Sequence, residues 1–105
     1  MPPAPQSEDP TLLTVVLKPL LDDFQYWFEQ SLQSLGEGTI AFLTPDQQAT
    51  LVDRVQTALA ETRTAATLLA ATDGKVGVDP AQMMAWHVLV AECWAIARRR
   101  RAQSS

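Results

Sequence analysis

The chain has 105 residues, 47% hydrophobic and 19% charged, with seven prolines, four glycines, one cysteine and a net charge of −4. That length suits one domain, the apolar fraction excludes wholesale disorder, and one cysteine excludes a disulfide framework or a multi-cysteine zinc site. The charge is unevenly placed: Arg98, Arg99, Arg100 and Arg101 supply +4 in one run, and residues 1–97 sum to −8. An acidic body repels phosphate, which argues against nucleic acid as a partner.

Residues 1–10 hold four prolines and nothing apolar larger than the first methionine. Such a segment gains too little from burial to offset its ordering entropy, so a disordered Pro-rich tail is expected. From Thr11 a helix is expected to run to Leu35. Its apolar face reads Leu13, Val16, Leu17, Leu20, Phe24, Phe28, Ser31 and Leu35, stepping by three or four residues. Pro19 removes a backbone donor and crowds the carbonyl of Val15, so a kink is expected there, with two separate helices as the alternative. Asp22 and Asp23 would then occupy the first turn after the break, where helix starts favour acids. Gly36 is placed to end the helix.

Residues 36–43 form a loop whose Ile40, Phe42 and Leu43 are expected to tuck over the end of the core. Thr44-Pro45-Asp46-Gln47 is a start signal: Thr as the cap, Pro at the first helical position, Gln three residues after the cap. The second helix is predicted from Pro45 to about Thr72. Leu51, Val52, Val55, Ala58, Leu59, Thr62, Ala65, Ala66 and Leu69 make its stripe, and Asp73-Gly74 stops it.

Asp79-Pro80 with Gln82 repeats the start signal, and a third helix is predicted from Pro80 to about Arg100. Met83, His87, Val90, Trp94 and Ala97 form one seam; Trp86, Leu89, Cys93 and Ile96 form an adjacent one. A helix apolar around most of its circumference is usually central or covered. It is therefore placed at the heart of the bundle or at a subunit contact, with Trp86 and Trp94 largely buried. Pro80–Ala91 is the longest charge-free stretch in a predicted helix, twelve residues, too short to span a bilayer. No basic start followed by an apolar stretch opens the chain, so no signal peptide is expected and the reading is cytoplasmic.

Candidate chemistry is sparse. Cys93 and His87 lie six residues apart, which rotates them about 120° from each other on one helix, so they do not pair. Cys93 reads as a small buried hydrophobe. His87 with Met83 one turn earlier offers axial ligands for a tetrapyrrole metal; the plainer reading is a structural histidine on an apolar seam. Asp73-Gly74-Lys75-Val76 imitates the centre of a calcium loop, but the ligand positions fall on Leu69, Ala71 and Pro80, which supply no side-chain oxygen. No convergent acid, base and nucleophile emerges, so the expectation is a non-enzyme with no cofactor and no metal.

Two features point to partners. The block Phe24-Gln25-Tyr26-Trp27-Phe28 puts rings on every side of one helix, more than a single small core can cover. The aromatic face around Tyr26, Trp27 and Trp86 is therefore expected to contact another protein or a second copy of this chain. The Arg98–Arg101 run complements a helix C-terminus. It also offers a weak electrostatic tether to an acidic protein or an anionic membrane surface, at roughly 1 kcal/mol per arginine near lipid.

Two strings carry a resemblance. Leu-Leu-Asp-Asp-Phe-Gln-Tyr-Trp-Phe at 20–28 and the run from Val76 to Trp94, with Met84-Ala85-Trp86-His87 at its centre, resemble a small family of uncharacterised cyanobacterial proteins. The similarity covers roughly Leu12 to Arg98. It implies a cyanobacterial source and a link to photosynthetic physiology, with peripheral thylakoid contact as one location. It implies no catalytic residues.

The expected architecture is an all-α antiparallel bundle of three long helices spanning 11–101, between disordered segments at 1–10 and 102–105. The expected function is a non-enzymatic protein–protein interaction module, an adaptor or regulator. A tetrapyrrole-binding protein using His87 inside the bundle is the alternative.

Overall fold

The computed structural model describes residues 10–75 and 77–104, with side chains described for 14–75 and 77–103. Most of the expected N-terminal tail, residues 1–9, lies outside the described residues. The fold is three α-helices: α1 (Pro10–Leu35), α2 (Pro45–Ala71) and α3 (Pro80–Ser104). α3 runs to Ser104, four residues past the helix end expected at about Arg100, so 102–104, expected in a disordered segment, are helical.

α1 passes through Pro19 as one helix, so the two-helix alternative is not adopted. Asp22 and Asp23 therefore stand in mid-helix, not in a first turn, and Asp22 accepts a hydrogen bond from Lys18 at 2.9 Å one turn earlier. The buried residues of α1 are Leu17, Leu21, Phe28 and Leu35, with Phe24 and Leu32 packed against them. Val16 and Leu20, expected on the buried face, are exposed. Leu20 and Leu21 are adjacent and equally apolar, and Leu21, three residues before Phe24 and seven before Phe28, is the one that joins them in the core.

α2 begins as the start signal requires. The Thr44 hydroxyl accepts from the Gln47 amide at 3.0 Å, and the Gln47 side chain accepts from the Thr44 amide at 2.9 Å. Two orphan donors are thereby satisfied. Leu51, Val55, Ala58, Leu59, Thr62 and Leu69 are buried; Val52, Ala65 and Ala66 pack alongside. At its end, Gly74 N–H reaches Leu69 O at 2.9 Å and Asp73 N–H reaches Ala70 O at 3.3 Å. Asp73 adopts φ +52° to close this Schellman turn, a left-handed conformation that Asp tolerates better than most residues.

The 36–43 loop is pinned to the bundle. Ile40 is buried, and Phe42 and Leu43 pack against the core. Gln48 clamps the loop from α2: its amide donates to Leu35 O and Gly38 O at 2.9 Å each, and its side-chain oxygen accepts from Ile40 N–H at 3.0 Å. Gly36 ends α1 without a left-handed turn; Gly38, at φ +131°, takes the conformation that needs glycine.

The helices alternate in direction, so α1 and α3 run parallel on one side of α2. Arg63 of α2 reaches Glu29 of α1 at 3.2 Å, and Arg54 of α2 reaches Glu92 of α3 at 2.6 Å. Phe24 meets Trp86 edge-on, and Arg100 of α3 donates to Ser34 O of α1 at 2.9 Å. α3 presses only one arc inward, Trp86, Leu89, Val90 and Cys93. Its opposite face leaves Met84 and Val88 exposed, so α3 flanks the α1–α2 pair and is not the central helix.

Candidate functional site

The two tryptophans of α3 part company. Trp86 is 2% exposed, against Phe24 at 5.6 Å between ring centres. It is a core residue and not part of any contact surface, which corrects that assignment. Trp94, expected to be buried, is 41% exposed. Eight residues separate them, a rotation of about 80° at 3.6 residues per turn. That angle carries Trp94 from the middle of the inward arc to its edge.

Trp94 lands beside the exposed rings of α1. It meets Trp27 edge-on at 5.2 Å between ring centres and 86° between planes, and Trp27 meets Tyr26 at 5.1 Å and 75°. Tyr26 is 54% exposed and Trp27 38%. Both are exposed, and Trp94, not Trp86, is the α3 ring beside them. The three rings bridge α1 and α3 as one patch, and such T-shaped pairs are favourable by about 0.5–1.5 kcal/mol each. Trp94 was missed because an apolar residue between apolar neighbours carries no mark of the side it faces. The wide arc separating it from Trp86 was the available signal.

Below Trp27 and Trp94 a cleft of about 260 Å³ opens between α1 and α3. It is lined by the buried Leu35, Ile40 and Leu51, by Ser31 and Ser34 of α1, and by Arg100 and Arg101 of α3. Cys93 also borders it. Burial pushes the Cys93 thiol above its ordinary value, and the hydroxyl of Ser31 partly opposes this. A thiol held neutral is a weak nucleophile, which fits the sequence reading of Cys93 as a packed hydrophobe.

The arginine run does not form one basic face. Successive residues rotate about 100° around the helix. Arg99 lies over the Phe42 ring with its guanidinium carbon 4.2 Å from the centroid. Arg100 turns to Ser34, and Arg101 with Arg100 borders the cleft. A flat tether would present all four together; here the positive charge is gathered around the lower end of the bundle.

His87 is exposed on α3, whereas Met83 is half-buried against the core. The expected seam is therefore split: Val90 is buried and Met83 packs against the core, while His87 and Trp94 are exposed. Among the described residues no group of three or more His, Cys, Asp or Glu is placed to hold a metal ion. Among them, too, no helix is long and apolar enough to cross a membrane.

Comparison with curated proteins and with solved structures finds no match for either. A family model does match, over residues 7–102, nearly the whole chain and wider than the Leu12–Arg98 span of the resemblance. The 20–28 and 76–94 strings and every residue of the aromatic patch and cleft fall within it. The chain belongs to the family described as Protein of unknown function (DUF2605).

Proposed function

We infer that this domain is a protein-interaction module, an adaptor or regulator working in the cytoplasm of a cyanobacterial cell. The observation that carries the reading is the contiguous, solvent-facing cluster Tyr26–Trp27–Trp94. Exposing large rings to water is unfavourable, and Tyr, Trp and Arg are the residues that dominate binding energy at protein interfaces. The arginine-rich end beside the cluster supplies the charge that selects among partners. The cyanobacterial setting, and through it a link to photosynthetic physiology, rests on the resemblance of the 20–28 and 76–94 strings.

The test is affinity capture from a cyanobacterial lysate on the wild-type chain and on a Tyr26→Glu/Trp27→Glu double variant, with proteins identified by mass spectrometry. The reading requires proteins retained by the wild type and lost by the variant. Identical captured sets on both would sink it. Light scattering on the same two chains reports whether a second copy is among the partners.

A further inference from the structure

The aromatic patch is flanked by two opposite charges. Trp27 and Trp94 meet at 5.2 Å between ring centres, so the parallel helices α1 and α3 are level with each other there. Asp23 lies four residues before Trp27 on α1, and Arg98 lies four residues after Trp94 on α3. A step of four returns to the same side of a helix and moves about 6 Å along it. Asp23 and Arg98 therefore stand on the ring-bearing sides of their helices, equally far from the rings in opposite directions. About 12 Å of height separates them within one chain, too much for them to pair. Both are exposed, and neither has an ion pair or a side-chain hydrogen bond among the described residues. Arg99, Arg100 and Arg101, by contrast, each interact within the chain.

An apolar centre with one acid and one base placed symmetrically about it is self-complementary. In a two-fold contact residue i meets j and j meets i. Pairing two copies face to face about an axis that crosses the helices at the ring pair runs them antiparallel. Arg98 of each copy then comes to the height of Asp23 of the other. The remaining step is sideways, about one helix spacing of 8–10 Å, which the long arginine and the aspartate span between them. A parallel pairing leaves the two charges at different heights and unmatched. We propose that the Tyr26–Trp27–Trp94 patch is the centre of an antiparallel two-fold homodimer, with Asp23 of each copy paired to Arg98 of the other. This rests on the interaction reading above and names its partner as a second copy of this chain. Three part-exposed rings make a small contact beside the ~800 Å² per partner of a standard interface. The expected dissociation constant is accordingly about 10–100 μM.

Sedimentation equilibrium on the full-length chain, up to about 500 μM, covers that range. The variants are Asp23→Arg and Arg98→Asp, both at exposed positions and each checked for helicity by circular dichroism. Either one alone sets like charges against each other at both contacts and should weaken the dimer at least about tenfold. An equimolar mixture of the two restores opposite charges at both contacts and should dimerise within about threefold of the wild type. Such a rescue arises only between chains, so damage to the fold of either variant does not imitate it. A wild type that stays monomeric, single variants that dimerise as well as the wild type, or a mixture no better than its components would each overturn the proposal. The interaction reading is judged separately: a monomer whose captured proteins are lost on Tyr26→Glu/Trp27→Glu overturns the dimer alone.

Discussion

Trp86 donates its indole N–H to the Glu61 carboxylate at 3.1 Å, across the junction of α3 and α2. That bond lets the largest side chain of the core be buried to 2% exposure without stranding a polar group. Trp86 and Trp94 thus sit on one helix, one satisfied from within the chain and the other turned outward to Trp27.

Their truncations should differ accordingly. Trp86→Ala is expected to cost about 3–5 kcal/mol, the range for a buried aromatic. Trp94→Ala should cost about 1 kcal/mol, near the surface range. Urea melts followed by far-ultraviolet circular dichroism measure both; equal losses would contradict the division of roles.

Gln48 holds the 36–43 loop through three hydrogen bonds to backbone groups. At about 0.5–1.5 kcal/mol net for each, Gln48→Ala should lower stability by about 2 kcal/mol. Gln48→Glu keeps the acceptor for Ile40 N–H but loses both donations and sets a negative charge against two carbonyls. It should be no better than Ala, and faster hydrogen exchange at Ile40 should accompany both variants.

Cys93 gives a pH dependence of known sign. Burial raises its folded value above the ordinary thiol value, so the unfolded chain ionises first as pH rises. The contribution is complete below the ordinary thiol value, about 8.5, and is lost above it until the folded thiol also ionises. Wild type should therefore lose stability relative to Cys93→Ala as pH rises past about 8.5. The native thiol should also react with a disulfide reagent at least about tenfold slower than in urea. A native rate equal to the unfolded one would refute its burial.

Arg54 and Glu92 form a two-pronged pair at 2.6 and 3.3 Å between α2 and α3. The carboxylate raises the Arg54 value chiefly through that hydrogen bond. Both side chains are close to half exposed, so the pair is screened. A double-mutant cycle should give a coupling of about 0.5–1 kcal/mol, shrinking in high salt.

Much of the architecture was written in local sequence. The capping residues Thr44 and Gln47 and the Pro at 45 and 80 set helix starts that depend on no distant contact. The α2 stripe from Leu51 to Leu69 was legible because polar residues flank it on both sides and leave one face to bury. The apolar loop around Ile40 likewise had nowhere to go but inward. Gln48, by contrast, gave no local sign of its clamp, since its three partners lie eight to thirteen residues away.

What only the tertiary structure decided is which way the uniformly apolar segments turn. Leu20 and Leu21, or Trp86 and Trp94, are equivalent to a periodicity argument, because hydrophobicity fixes that a face is buried but not where its centre lies. On α3, with few polar residues between Ala81 and Ala97, that centre was free to rotate. The neighbours settled it: Phe24 and Glu61 captured Trp86 inside, Trp27 met Trp94 outside, and His87 was carried out with it. The patch and the cleft exist only because two separate helices each present part of them, and a helix reads its own sequence but not its neighbour's.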